Sequence, residues 1–193
     1  MPTPSWSDTL RSELAALDCV KDTARLEALH AELCDDAPRD AKLTRKLATL
    51  CADHDANLQV GASWLLRARL EWLAAEGVAP TPAFARTLAD VLPELRDKWA
   101  RQHLCQCLPL LAIPSDAAPA FEDFLRAAAG DPAKFLRAWG LDGFVRLSWQ
   151  LPRLADEARD LLTRAADDDA ASVRARARKL VEEIERRERR SRA

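Results

Sequence analysis

Apolar residues recur along much of the chain at intervals of three and four positions, which is the period of an amphipathic α-helix. Leu43, Leu47 and Leu50 form one such stripe, and a broader one begins at Leu58. Proline, glycine and aspartate residues separate these stretches into about ten segments of ordinary helical length. The predicted helices cover approximately 7–17, 22–34, 40–52, 57–76, 80–92, 95–111, 115–130, 131–150 with an interruption at Gly140–Gly143, 152–166, and the segment from the Asp167–Asp169 run onward. The pattern therefore predicts an all-α fold.

The predicted helices pair into hairpins with a regular spacing. The second helix of successive hairpins begins near Asn57, Asp97, Lys134 and Ser172, at intervals of about 36–41 residues. Repeats built from two helices, such as HEAT and armadillo repeats, have a period of about 40–47 residues. This spacing favours a stack of hairpins over a compact helical bundle, which stays open as the alternative.

Short motifs in these second helices point to a family of repeats. An apolar residue followed by Arg occurs early in three of them, as Ala100-Arg101, Leu136-Arg137 and Val173-Arg174. The segment 169–177, together with Leu180, resembles the second-helix pattern of HEAT repeats, which has Asp, then Val-Arg, then small and apolar residues. The resemblance covers about residues 39–188, although Gly61 follows Val60 where the pattern has Arg. It implies a right-handed α-solenoid, or superhelix, of four to five antiparallel hairpins.

A length of 193 residues suits one domain with a substantial core, and we expect a single HEAT-like domain over residues 1–193. The end of the last predicted helix alternates Glu and Arg at a spacing of four, which supports a solvated helix. Its final residues are net basic, and we expect residues 187–193 to form a frayed basic tail.

Composition restricts the class of protein. Hydrophobic residues make up 48% and charged residues 31% of the chain, as in folded globular domains. No apolar run approaches the roughly 20 residues of a membrane-spanning helix, and no secretory signal is expected. Five cysteines, an odd number, indicate reduced thiols, so we expect a cytoplasmic protein. The net charge of −2 argues against a strongly basic nucleic-acid binder but leaves room for a local basic groove.

Candidate chemistry is sparse. His30 with Cys34 and Cys51 with His54 could supply four zinc ligands, but the two pairs end successive helices and should lie about 20 Å apart. The acidic clusters fall at predicted helix starts, where carboxylates cap free N–H groups. Glycine-rich phosphate loops and common hydrolase motifs are absent. We therefore predict no metal, no cofactor and no catalytic residue, and we favour a protein without enzymatic activity.

The distribution of tryptophan and arginine indicates a binding surface. There are six Trp and no Tyr, and five of the six Trp lie in predicted second helices, where they either fill space between helices or reach a partner. In HEAT-like solenoids the second helices line the concave face, and Trp and Arg are enriched at binding hot spots. The candidate binding residues are Gln59, Ser63, Arg67, Trp99, Arg101, Arg137, Trp139, Arg146, Gln150, Arg174 and Arg178. They predict an interaction module, a scaffold or adaptor, that binds an acidic protein or peptide.

A second hypothesis is a DNA-binding protein. One family of bacterial alkylpurine DNA glycosylases is built from HEAT-like repeats and carries Trp, Arg and a catalytic Asp on its concave face. The chain resembles that family in architecture, and Asp142, near Trp139, is the residue that could take the place of the catalytic Asp. Nucleic acid is therefore a possible partner beside the acidic protein.

Overall fold

The computed structural model describes residues 6–36 and 41–192, and within these ranges the chain forms ten α-helices, three 3-10 segments and no strand. The helices are α1 (Trp6–Ala16), α2 (Thr23–Asp36), α3 (Ala41–Cys51), α4 (Ala56–Ala75), α5 (Pro82–Val91), α6 (Lys98–Cys107), α7 (Ala118–Ala129), α8 (Lys134–Gln150), α9 (Ala155–Ala166) and α10 (Ala171–Arg192). The 3-10 segments are Leu92–Glu94, Leu108–Leu110 and Pro152–Leu154. The predicted all-α fold is confirmed.

The helices from α3 onward pack in two rows. The first row contains α3, α5, α7 and α9, and the second row contains α4, α6, α8 and α10. In the second row α6 packs between α4 and α8, and α8 packs between α6 and α10. Across the rows, α3 packs on α4, α7 on α8 and α9 on α10, while α1 and α2 contact α4. We call the side of the second row that is turned away from the first row the second-row face.

Apolar stripes along the helices account for this packing. Leu43 and Leu47 of α3 are buried against α4, as their spacing predicts. α4 has buried residues around most of its circumference because α1, α2, α3 and α6 all contact it. Each fully buried Leu contributes roughly 1.5–3 kcal/mol of transfer free energy. None of the helices within the described ranges is long and apolar enough to cross a membrane.

The predicted interruption of α8 at two glycines is wrong, because the helix is continuous from Lys134 to Gln150. A Cβ atom on Gly140 would lie 2.5 Å from the carbonyl carbon of Ala128 in α7. A Cβ on Gly143 would lie 2.5 Å from a methyl carbon of Leu125. Both glycines allow α7 to approach α8 closely. The prediction treated them as helix breakers and did not consider that a missing side chain lets two helices pack together.

Aspartates begin three of the second-row helices in slightly different ways. Asp55 and Asp97 cap α4 and α6, each accepting hydrogen bonds from the N–H groups of the second and third residues that follow it. Asp131, at the start of the helix predicted over 131–150, accepts from the N–H of Ala133, and α8 starts three residues later at Lys134. The aspartate therefore orders the turn before the helix. At the other end of the row, α10 extends to Arg192.

Candidate functional site

A ladder of arginines and aspartates joins the starts of the second-row helices. Arg101 on α6 donates to Asp131 at 3.0 Å, in the turn that precedes α8. Arg137 on α8 donates two hydrogen bonds of 2.9 Å to Asp168, and one of 2.7 Å to Asp169, before α10. We call these contacts the Arg–Asp ladder. Two of the predicted binding residues, Arg101 and Arg137, thus connect neighbouring hairpins.

Arg137 of the ladder, and Arg174 on α10, also bind backbone carbonyls of the turns. Arg137 Nη1 donates to the carbonyl oxygen of Asp131 at 2.8 Å, and Arg174 Nη1 donates to that of Asp168 at 2.6 Å. In each case the arginine lies six residues after the aspartate. A guanidinium with its planar set of five donors suits such multiple contacts. Arg101, Arg137 and Arg174, the arginines of the three apolar–Arg motifs, therefore all bind the turns before second-row helices. These contacts occupy their guanidinium groups.

The ladder perturbs the acid that it engages. Hydrogen bonds from Arg137 lower the pKa of Asp168 from its ordinary value of 3.8 to about 2, and the hydrogen bond from the N–H of Ala170 acts in the same direction. A carboxylate whose pKa is lower in the folded protein than in the unfolded chain stabilises the fold at pH values above the unfolded pKa. That contribution disappears as the pH falls from about 4 to about 2.

The first prediction concerns this acid dependence. We expect Asp168→Asn to lower the free energy of unfolding at neutral pH, because the amide loses the charge that Arg137 pairs with. The difference from the wild type should shrink as the pH falls from about 4 towards 2, where Asp168 itself becomes protonated. Urea denaturation at a series of pH values measures it. A difference that stays constant down to about pH 2 would show that the charge of Asp168 is not what the ladder uses.

Two other predicted binding residues are polar bridges between elements. Gln59 is buried; its Nε2 donates to the carbonyl oxygen of Glu94 at 2.7 Å and its Oε1 accepts from the N–H of Arg96 at 2.9 Å. Gln150 bonds in the same two-sided way to the main chain of Leu111 and Ile113. Both glutamines fasten a loop of a neighbouring hairpin to a second-row helix.

A third predicted residue, Ser63, is also buried and pairs with a histidine. Its Oγ lies 3.0 Å from Nδ1 of His103 and donates to the carbonyl oxygen of Val60 at 3.0 Å. Burial lowers the pKa of His103 to about 3, with the charge of Arg67 adding to the effect. The imidazole is therefore neutral at physiological pH. A nucleophile needs access to substrate as well as a base, and Ser63 has no exposed surface. The pair stabilises the α4–α6 contact.

A cluster of charges and aromatic rings lies between α8 and α10. Asp142, only 1% exposed, accepts from Arg146 at 2.7 Å and from Arg176 at 3.3 Å. The guanidinium of Arg176 lies 3.8 Å from the ring centroid of Trp139, a cation–π geometry. Arg146 also donates to Glu183 on α10 at 2.9 Å. Two of the predicted binding residues, Trp139 and Arg146, thus belong to the same cluster, linked through Asp142 and Arg176.

Around this cluster the second-row face carries further cations. A groove of about 320 Å³ is bordered by Asp142, Arg146, Arg176, Lys179, Leu180, Glu182, Glu183 and Arg186. Lys179 and Arg186 are exposed and make no hydrogen bond or ion pair with the described residues. Arg187 lies 4.2 Å from the ring centroid of Trp149, which is partly buried. We call the groove and these two tryptophan–arginine pairs the α8–α10 patch.

The remaining predicted residues lie at separate places. Trp99 borders a second groove of about 280 Å³ between α6 and α8, together with Phe135, which is 49% exposed. Arg67 donates to Gln106 at 3.2 Å across the α4–α6 contact. Arg178 is exposed on α10 and forms no hydrogen bond or ion pair with the side chains that the structure describes. None of these three residues borders the groove of the α8–α10 patch.

Sequence reasoning missed Arg176, Lys179 and Arg186. The predicted interval of about 36–41 residues between second helices could have found the first of them, because Trp139 and Arg176 are 37 positions apart, as are Arg137 and Arg174. Two residues at equivalent positions of adjacent repeats lie on neighbouring helices at the same height. No sequence spacing marks Lys179 and Arg186 in this way. They matter because they are unpaired within the described chain, and the sequence does not show which cations are paired with acids.

The cysteines and histidines do not form a metal site in the described part of the chain. Cys34 and His30 contact each other, with 3.5 Å between Sγ and Nε2, but no third ligand joins them, and no described group of three or more His, Cys, Asp or Glu could hold a metal ion. Cys51, Cys105 and Cys107 are buried, and burial raises the pKa of each thiol. They pack as small apolar side chains.

Comparisons with protein families, with curated proteins and with solved structures find no match to this chain. Its function therefore has to be inferred from the geometry of the helix rows and of the α8–α10 patch.

Proposed function

We propose that the chain is a short solenoid of HEAT-like hairpins that acts as a non-enzymatic interaction module. The repeat is supported by the polar contacts between neighbouring hairpins, which join residues 30 to 43 positions apart all along the chain. First-row helices follow the same rule, since Arg86 pairs with Asp116 and Arg126 with Glu157. Contacts that stay within about one repeat length of each other in the sequence are characteristic of repeat proteins, in which each unit touches only its neighbours.

The partner in this proposal is an acidic segment of another protein, bound on the second-row face at the α8–α10 patch. The observation that carries it is that unpaired cations lie close to partly buried tryptophan rings. Lys179 and Arg186 have no partner within the described residues, and they border a groove next to Trp139 and Trp149. Arg and Trp supply hot-spot contacts. Unpaired cations attract carboxylates without first giving up an existing ion pair, unlike the ladder arginines.

The second prediction tests this surface. We expect the double variant Lys179→Glu/Arg186→Glu to lose at least about tenfold in affinity for a fluorescein-labelled deca-glutamate peptide, because two attractive charges become repulsive. Fluorescence anisotropy at two salt concentrations measures the affinity and its screening.

The matched control is Arg45→Glu/Arg164→Glu on α3 and α9. It makes the same change in net charge with exposed first-row side chains, so it should retain most of the binding. An equal loss in both double variants would show that net charge alone attracts the peptide, and the α8–α10 patch would then have no specific role.

The second candidate function is DNA binding by a HEAT-like protein. It is favoured by the convergence of Asp142, Trp139 and Arg176, since an Asp, a Trp and an Arg are the residue types expected of the glycosylase-like alternative. Against catalysis, the Asp142 carboxylate is 1% exposed and accepts from two guanidinium groups. A carboxylate in this state has no open side towards a substrate.

The two functions separate in one experiment. A labelled DNA duplex is titrated beside the deca-glutamate peptide at low and at moderate salt, because phosphate contacts make DNA binding fall steeply with salt. The interaction-module proposal expects the peptide to bind and the duplex not to bind. Binding of the duplex, together with release of methylated purine from alkylated DNA and loss of that release in Asp142→Asn, would establish the alternative.

A further inference from the structure

One face of α10 carries charges in an order that changes sign about its centre. Arg174, Arg178, Val181, Glu185 and Glu188 are spaced by four, three, four and three positions, so they lie along a single stripe of the helix. Two positive residues precede a central apolar residue, and two negative residues follow it. When such a stripe is turned end for end, every positive position meets a negative one. The α10 residues that border the groove of the α8–α10 patch, such as Lys179 and Arg186, lie on another side of the helix, and Trp149 lies between the two surfaces.

The stripe borders an open apolar groove at the end of the two rows. The groove has a volume of about 670 Å³ and lies between α8, α9 and α10. Leu162 of α9 and Val145 of α8 form part of its walls, and Val181 and Ile184 lie on the α10 side. Val181 is 44% exposed, although it is a large apolar residue in the middle of a helix. Further along the rows the corresponding side of each hairpin is covered by the next hairpin, but here no described residue covers it.

We infer that this face binds a second copy of the same chain, with the two α10 helices antiparallel about a two-fold axis near Val181. In this arrangement Arg178 faces Glu185 of the second copy, and Arg174 faces Glu188 of the second copy. The two Val181 side chains meet at the centre, and each copy covers the groove of the other. A two-fold axis requires a self-complementary surface, and the charge order of the stripe provides one.

The charges of the two inner contacts, Arg178 and Glu185, are accessible. Arg178 is exposed and has no described partner. Glu185 is paired with Arg189, at 3.7 Å, and both of those side chains are more than half exposed. An exposed pair of this kind contributes little to stability, so Glu185 can exchange it for a contact across the axis. Arg174 uses Nη1 to hold the α9–α10 turn and serves as a flanking residue.

The third prediction is a set of charge reversals. We expect the wild-type chain to be dimeric in sedimentation velocity at micromolar concentration. Arg178→Glu and Glu185→Arg should each raise the dissociation constant at least about tenfold, because each substitution makes two like-charge pairs across the axis. The double variant Arg178→Glu/Glu185→Arg should return to the dimer, since its stripe is complementary again with the signs exchanged.

Mixing the two single variants gives the sharpest test. Position 178 of the first variant is then acidic and faces position 185 of the second variant, which is basic. At the other contact the unchanged Arg178 and Glu185 meet, so both contacts become attractive. We expect two preparations that are monomeric alone to form a one-to-one heterodimer when combined. Arg164→Glu, an exposed residue of α9 that does not border the groove, is the control and should leave the dimer unchanged.

Circular dichroism melting accompanies each variant, so that a change in association is not confused with unfolding. All substituted residues are exposed on helices, so the midpoint of melting is expected to stay within a few degrees of the wild type. A wild-type chain that is monomeric up to about 100 µM would overturn the inference, because a dissociation constant above that value corresponds to less than about 6 kcal/mol of binding free energy. A dimer that survives both single reversals would also overturn it. Neither result would bear on the deca-glutamate experiment, because Lys179 and Arg186, the residues changed there, do not border this groove.

Discussion

Gly140→Ala is expected to lower the free energy of unfolding by about 2–3 kcal/mol. The added Cβ would contact the main-chain nitrogen of Ala129 and lie 2.5 Å from the carbonyl carbon of Ala128. Main-chain atoms of a packed helix cannot move aside individually, so α7 as a whole has to shift away from α8. Overpacking costs about 1–3 kcal/mol and occasionally more, and the close approach to two main-chain atoms places Gly140→Ala at or above the top of that range. The better helix propensity of Ala returns at most about 1 kcal/mol of this cost.

Gly130→Ala supplies the matched control for this prediction. It lies at the end of α7, and an added Cβ would have no neighbour closer than 3.8 Å. Its backbone angles suit any residue, so we expect a change of no more than about 0.5 kcal/mol. Thermal or urea unfolding of the two variants measures the difference. Equal stabilities would mean that α7 and α8 are not as close as the structure places them.

Arg137→Gln is expected to be almost as damaging, with a loss of about 2–3 kcal/mol. The side chain is largely buried and binds Asp168 through two hydrogen bonds, Asp169 through one, and the main chain of the Asp131–Pro132 turn through two more. Hydrogen bonds to charged groups contribute about 1.5–3 kcal/mol each in net terms, and they are not additive. Gln cannot reproduce the fork, so Asp168 would lose its counter-charge.

Arg164→Gln is the comparison for this variant, because Arg164 is exposed and makes no hydrogen bond or ion pair within the described chain. Its effect should stay within about 0.5 kcal/mol. A second measurement separates structure from binding: below its unfolding transition, Arg137→Gln should bind the deca-glutamate peptide within about twofold of the wild type. A large loss of binding by the folded variant would return Arg137 to the binding surface.

The arginines of the second row thus fall into two groups. Those of the Arg–Asp ladder act between hairpins, where their partners are aspartates that also order the turns before second-row helices. Those of the α8–α10 patch act at the surface, where Arg176 and Arg187 lie over tryptophan rings and Lys179 and Arg186 stay unpaired within the described chain. Mutations in the first group should change stability, and mutations in the second group should change affinity. The distinction makes the proposed function testable without knowing the partner.

Local patterns in the sequence were sufficient for the helices themselves. The period of the apolar residues and the positions of Pro and Asp predicted the starts of α4, α6, α8 and α10 to within about four residues of those observed. Helix formation and capping depend on residues within one or two turns of each other, so the linear sequence contains the information needed. The same holds for the placement of Trp64, Trp99, Trp139 and Trp149 on second-row helices.

Which residues remain available at the surface was decided by tertiary packing alone. Gly140 was predicted to interrupt a helix, and it instead allows close contact between α7 and α8. Arg137 and Gln59 were predicted to bind a partner. Arg137 instead joins α8 to the turn before α10, and Gln59 is buried. The partner of each lies on another element, in a register that no local pattern specifies. A side chain of the same type is a binding group when its neighbours leave it unpaired and a structural group when they do not, and only the packing of the helices determines those neighbours.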